Sequence, residues 1–308
     1  MIFMNRLKVQ YKTKKNYRLL LMSIPFVLFI IAFNYVPLFG WILAFFDYKP
    51  GIPLSITPFA GLKYFGYIVQ DIGDIVSVLT NTLAMYFLIL LCSPLPMLFA
   101  IMLNEMRLVR FKRFAQTVTT IPNFVSWVIM FSMAFALLSH DGMINQFLTL
   151  VGIAPKETYS ILSDGKRVWS FQVLLGLWKT LGWNSIIYLA GISGIDGELY
   201  DAAAVDGANR LNVNLHVTIP GLIPTFLVLV LLSIGNMLSV GFDQYFIFKN
   251  PMTAEKIEVL DLYVYRMGVV NNDFPFAIAV GMLKSFISVI LLFSVNALSK
   301  KARGQSII

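Results

Sequence analysis

Charge is scarce in this chain, and histidine and cysteine are scarcer still. Of 308 residues, 13% are Asp, Glu, Lys or Arg, two are His and one is Cys. The lone Cys92 excludes a disulfide framework within the chain. His140 and His216 have no thiol or second ligand spaced to them, and both read as interfacial polar groups, so no catalytic residue and no metal ligand is assigned. A Walker A loop is missing: "GLWKTLGW" lacks the glycine immediately before Lys179, so this chain is not expected to hydrolyse ATP. The apolar runs contain no Asp or Glu, which weighs against a proton- or sodium-coupled secondary transporter, the alternative reading, because such carriers use intramembrane carboxylates.

What the chain has in abundance is apolar length. Hydrophobic residues make up 58% of it, and the mean hydropathy is +0.75. Six runs reach the roughly 20 residues that a helix needs to cross a bilayer: residues 19–46, 75–104, 114–139, 168–195, 217–242 and 274–299. The first follows a basic segment but is too long for a signal peptide and has no small-residue cleavage site after it, so it reads as an uncleaved span. Pro25, Pro37, Pro94, Pro96, Pro122, Pro220 and Pro224 fall in or beside the runs. They are expected to kink their helices, as structural bends or as gating hinges.

The net charge of +8 is gathered beside membrane ends, which argues against nucleic acid as a partner. Residues 1–18 carry Arg6, Lys8, Lys12, Lys14, Lys15 and Arg18; a short loop carries Arg107, Arg110, Lys112 and Arg113; the C-terminus carries Lys300, Lys301 and Arg303. The positive-inside bias places both termini and residues 105–113 in the cytoplasm, which six spans permit. Residues 47–74, 140–167 and 243–273 then face outward, with "YKPGIPLSITP" and "KNPMTAEK" suited to ordered turns. The fold expected is an all-α polytopic membrane protein with six transmembrane helices, one integral membrane domain over residues 1–308.

Residues 196–216, the other inward loop, break the basic pattern with Asp196, Glu198, Asp201 and Asp206 against Arg210. Two short helices joined at a glycine are expected. Asp196 caps the first, Glu198 sits in its first turn, and Gly207 takes the positive φ that ends it. Ala202, Ala203, Ala204 and Ala208 surround the bend, leaving room for another backbone. The segment is too polar for the bilayer and reads either as a dock for a soluble partner or as an amphipathic interfacial hairpin.

At this point the sequence resembles the permease subunits of binding-protein-dependent ABC importers, in the branch that takes oligosaccharides and polysaccharide fragments. The cytoplasmic EAA signature of that family is matched at Asp201, Ala202, Ala203, Asp206, Gly207, Ala208, Val217, Ile219 and Pro220. The segments "YVPLFGWILAFFDYKP", "IPNFVSW", "SHDGMINQFL", "GWNSIIYLAGISGIDGELYDAAAVDGAN" and "AVGMLKSFISVILLFSVNALSKK" resemble the branch in the same order. Asp201 stands where Glu is usual, one methylene shorter, and Asn214 where an aromatic is common.

The resemblance implies that Glu198, Asp201, Ala202, Ala203, Asp206, Gly207, Ala208 and Arg210 couple the spans to an ATPase. It also implies a second permease, two ATP-binding subunits that hold ATP and magnesium, an extracytoplasmic solute-binding protein and a bacterial cytoplasmic membrane. An oligosaccharide path should interleave aromatic rings with hydrogen-bonding groups. Trp178, Lys179, Thr180, Trp183, Asn184 and Tyr188 in the fourth run, Ser233 and Asn236 in the fifth, and Lys284 and Ser288 in the sixth are the candidates. Each group is equally readable as a bridge between helices, and Lys179 and Lys284 as partners of a companion permease.

Overall fold

The computed structural model describes residues 17–152 and 160–303. The basic segment 1–16 and the last residues from 304 lie outside the described part, as do residues 153–159 of the second outward segment. The described chain is mostly helical. Five helical segments are long and apolar enough to cross a membrane: Leu20–Phe45, Ile72–Glu105, Trp127–Leu150, Arg210–Gly235 and Phe274–Ala297.

The first segment begins as α1 (Tyr17–Ile30) and tightens through a π-turn, Ile31–Tyr35, into a 3-10 stretch, Val36–Phe45. Leu21, Phe26 and Phe39 are exposed on it. A helix apolar all round is unstable against water and is solvated by lipid tails. Beyond it, Lys63 Nζ and Tyr64 Oη, on α2 (Lys63–Gln70), both donate to Asp47 Oδ1 at 2.9 Å. These two hydrogen bonds, the one from Lys63 foremost, hold the Asp47 carboxyl below its ordinary range.

Proline divides the next two expected spans. Run 75–104 is α3 (Ile72–Cys92) and α4 (Leu95–Glu105), separated at Pro94. Run 114–139 is more deeply broken: α5 (Val109–Thr120) ends in the turn Ile121–Phe124, and α6 (Trp127–Leu138) restarts after Ser126, whose Oγ accepts from Ile129 N at 3.4 Å. Pro122 has no N–H to continue the ladder, so the apolar run is continuous while the helix is not. A short α7 (Met143–Leu150) follows.

Helix α8 (Val168–Ser193) is the hub and packs on α3, α4, α5 and α11 (Ile219–Gly235). It occupies the fourth expected run but is more polar than the five apolar segments. At Gly182 a Cβ would stand 2.3 Å from the Thr119 carbonyl carbon and oxygen, so the α5–α8 seam requires glycine there. The fifth run is displaced from expectation. The helix starts at α10 (Arg210–Val213), passes through a π-turn, Asn214–Thr218, and ends as α11 at Gly235, so residues 236–242 lie beyond its end.

The third segment expected to face outward, residues 243–273, is a folded layer. Helices α12 (Phe242–Phe248), α13 (Ala254–Ile257) and α14 (Leu260–Tyr265) bury Tyr245, Phe248, Ile257, Val259 and Leu262 with Met85 of α3. Asn81 Nδ2 donates to the carbonyls of Glu255 (2.7 Å) and Glu258 (3.1 Å), and Leu260 N donates to Thr82 Oγ1 (2.9 Å). Glu258 in turn accepts from Lys249 at 3.0 Å and from both Nε and Nη2 of Arg266. The long α15 (Phe274–Arg303) closes the chain against Val36–Phe45 and α11.

Candidate functional site

A cavity of about 440 Å³ opens where α8 faces the α3/α4 break and α11. Gln172, Gly176, Thr180, Asn184 and Tyr188 line it from α8. They recur every four residues and so form one stripe of the helix. Cys92, Ser93 and Pro96 border it at the break, Ser233 comes from α11, and Trp127, Gln244 and Tyr245 complete it. Gln244 Nε2 donates to the backbone and side-chain oxygens of Gln172 at 2.8 and 2.7 Å, a buried clasp along one side. Gly176 lies beside this clasp, where a Cβ would make ordinary van der Waals contact with Gln244 Oε1 at 3.5 Å.

Some polar groups on the wall are used within the fold. Thr180 Oγ1 donates to Gly176 O (2.9 Å), and Ser233 Oγ meets Tyr86 Oη (3.0 Å). The side chains of Asn184, Tyr188 and Tyr245 have no hydrogen-bond partner among the described residues. Among the described residues no charged one lines the cavity. Aromatic faces beside free neutral donors and acceptors suit a hydroxylated ligand.

Thr180, Asn184, Tyr188 and Ser233 are thus brought together, and the other path candidates are not. Trp178 is half exposed outside the cavity, and Trp183 lies edge-on to Phe124 with ring centroids 5.6 Å apart. Asn236, Lys284 and Ser288 line a separate concavity of about 670 Å³ with Trp41 and Asp261. Trp127, Gln172, Gln244 and Tyr245 escaped sequence reasoning. Gln244 and Tyr245 fall after the fifth run, and no short-range pattern brings that segment back over α8.

The two intramembrane lysines find partners inside the chain. Lys284 pairs with Asp261 of α14. Buried Lys179 donates to the carbonyls of Pro122, Asn123 and Val125 at 3.1, 2.9 and 2.5 Å, and its ammonium lies 5.3 Å from the Trp127 ring centroid. Pro122 O also accepts from Val125 N at 3.2 Å, whereas among the described residues the Asn123 and Val125 carbonyls have no backbone N–H partner, and a cation answers both them and the negative end of the helix dipole.

The acidic segment 196–216 forms a helical hairpin. Asp196 Oδ1 accepts from Glu198 N (3.0 Å) to start α9 (Gly197–Val205), and Asn209 Oδ1 accepts from Asn212 N (2.9 Å) to start α10. Between them Gly207 has φ +72°, with Gly207 N donating to Ala204 O (3.1 Å) and Ala208 N to Ala203 O (2.9 Å). That is a Schellman stop. The second arm is not the separate helix expected, since it runs on into α11. Leu199, Val205 and Leu211 are exposed on the hairpin, as are Glu198, Asp201, Ala202 and Asp206, while Ala203 and Ala208 are half-buried. At its root Tyr200 Oη meets Thr218 Oγ1 (3.2 Å), and Glu105 of α4 lies 3.7 Å from Arg210 and accepts from Asn214 Nδ2 at 3.3 Å. Asn214, at the usual aromatic position, thus has a polar partner that sequence reasoning did not identify.

Residues 92–304 match the family described as "Binding-protein-dependent transport system inner membrane component". The polygalacturonan/rhamnogalacturonan transport system permease protein YteP of Bacillus subtilis is 36% identical over 97% of this chain and 96% of that protein. The arabinooligosaccharides transport system permease protein AraP of the same organism is 28% identical over 92% and 88%. Among solved structures, a bacterial ABC transporter that imports the acidic polysaccharide alginate superimposes with TM-score 0.83 and 29% identity over 94% of this chain and 97% of that one. A related structure holds that transporter with an alginate pentasaccharide-bound periplasmic protein. The chain therefore belongs to the family of inner membrane components of binding-protein-dependent transport systems.

Proposed function

We infer that this chain is a permease subunit of an ATP-driven importer and passes an oligosaccharide handed over by an external binding protein. The observation that carries this reading is nearly full-length likeness to permeases whose names specify saccharides. The uncharged cavity, with Asn184, Tyr188 and Tyr245 facing it, supports the same ligand class. In this reading the chain is one membrane domain of six crossings. Helix α8 is the sixth crossing helix, more polar because one stripe of it faces the path.

Both termini, residues 105–113 and the hairpin lie in the cytoplasm in this reading. The exposed Leu199, Val205 and Leu211 offer the hairpin an apolar surface for an ATPase subunit to cover. A second permease completes the path, and two ATPase subunits hold ATP and magnesium and perform the hydrolysis.

The topology makes a direct prediction. On a Cys92→Ser background, Asn209→Cys should resist an impermeant thiol reagent in intact cells, whereas Ile56→Cys, exposed in the first outward segment, should react. The reverse pattern would overturn the orientation.

The path makes another. In the reconstituted importer Asn184→Ala should lower oligosaccharide uptake about fivefold, the effect of one lost hydrogen bond. Assembly and basal ATP hydrolysis should persist. Normal uptake by both Asn184→Ala and Tyr188→Phe would remove the cavity from the path. Capture of an amino acid, peptide or metal ion by the cognate binding protein would overturn the saccharide reading.

A further inference from the structure

Helix α5 and the turn before it carry four cations, and the fold uses one. Lys112 is half-buried and donates to Asn104 Oδ1 at 3.3 Å. Arg107, Arg110 and Arg113 are exposed, and among the described residues no acid pairs with any of them. The helix is divided lengthwise. Its inner side meets α8 at Thr119 and Gly182. Arg110 and Arg113 stand one turn apart on one flank, and the next stripe round holds Phe111, Phe114 and Val118, all exposed. A soluble acidic partner would not account for the phenyl stripe, and lipid tails alone would not account for the arginines. One phospholipid has chemistry for both.

We propose that this face of α5 is a binding site for an anionic phospholipid. The guanidinium groups of Arg110 and Arg113 fork onto headgroup phosphate oxygens, with Arg107 adding charge from the preceding turn. The acyl chains lie along Phe111, Phe114 and Val118. A zwitterionic headgroup carries its own ammonium beside the phosphate and cancels most of the attraction, so a net-negative headgroup is selected. The site rests on the permease reading, which sets this end of α5 at the cytoplasmic leaflet. Because α5 also seats Gly182 and leads directly into the turn whose carbonyls Lys179 holds, a lipid gripping its first turns steadies the helix that supports the cavity's main wall.

Native mass spectrometry of the complete importer, given equal concentrations of dioleoylphosphatidylglycerol and dioleoylphosphatidylcholine, tests this. The wild type should retain the phosphatidylglycerol in about tenfold excess or more. Arg110→Gln/Arg113→Gln should bring the two lipids near parity without lowering the melting temperature, since both side chains are exposed. Phe111→Ser/Phe114→Ser should weaken both lipids alike. Equal retention by the wild type, or an unchanged preference in the arginine double variant, would overturn the proposal. So would loss of ATPase subunits from that variant with its lipid preference intact, because the face would then be a protein interface. Saccharide uptake by the same samples reports on the permease reading separately, and a failure of lipid selectivity leaves that reading standing.

Discussion

Lys179→Met is expected to lower the melting temperature of the solubilised permease by about 10 °C, and saccharide uptake with it. Methionine keeps the length and apolar stem of the side chain, so the loss isolates the ammonium. The Asn123 and Val125 carbonyls would be left without their donor beside the buried stem of residue 179, while Pro122 O keeps the Val125 N–H at 3.2 Å. Each stranded group costs about 1–3 kcal/mol, so the two together cost on the order of 3 kcal/mol. The seam has no slack to absorb the change, because α8 already touches the Thr119 backbone at Gly182. Trp127 also loses the cation beside its ring, and it lines the cavity, so uptake should fall further than stability alone explains. Thermal unfolding in detergent, with uptake measured at matched membrane abundance, checks this. A Met variant as stable and active as the wild type would show that the carbonyls have another donor.

Gly207→Pro is expected to reduce transport to background while the permease still inserts. Gly207 has φ +72°, and proline holds φ near −65°, so the chain cannot turn from α9 into α10 by the same route. The substitution also removes the N–H that donates to Ala204 O at 3.1 Å. In the proposed coupling role, the hairpin would lose the geometry with which it sits on an ATPase subunit. Gly207→Ala is the graded control. A methyl group there meets nothing within 4 Å, so only the left-handed backbone is penalised, by about 1 kcal/mol, and partial transport should remain. Asp201→Lys, which leaves the turn intact and reverses an exposed charge, should uncouple ATP hydrolysis from uptake. Full transport by Gly207→Pro and Asp201→Lys at normal abundance would remove the hairpin from the coupling role.

Sequence alone determined that the chain is a helical membrane protein, roughly where its apolar segments fall, and that the acidic segment 196–216 turns at a glycine. These properties are local. Run length is set against bilayer thickness, and Asp196, Gly207 and Asn209 act on backbone groups within a few residues of themselves. The family was legible for a related reason, since its signature lies in one short stretch. Tertiary structure decided the rest. An apolar run reads the same whether or not Pro122 breaks its helix, so the division into α5 and α6 depended on whether the freed carbonyls had a donor. That donor, Lys179, is more than fifty residues away in sequence. The same limit applied to the polar residues of α8, whose composition suited a path or a helix bridge equally. Thr180, Asn184 and Tyr188 face a cavity, and Lys179 faces a broken helix, because the 3.6-residue turn points neighbours in different directions and only packing decides what each direction meets. Tyr245 and Gln244 join the site because residues 236–270 fold back over α3 and α8, a return held by Asn81, Thr82 and Gln172 through contacts that no local spacing could announce.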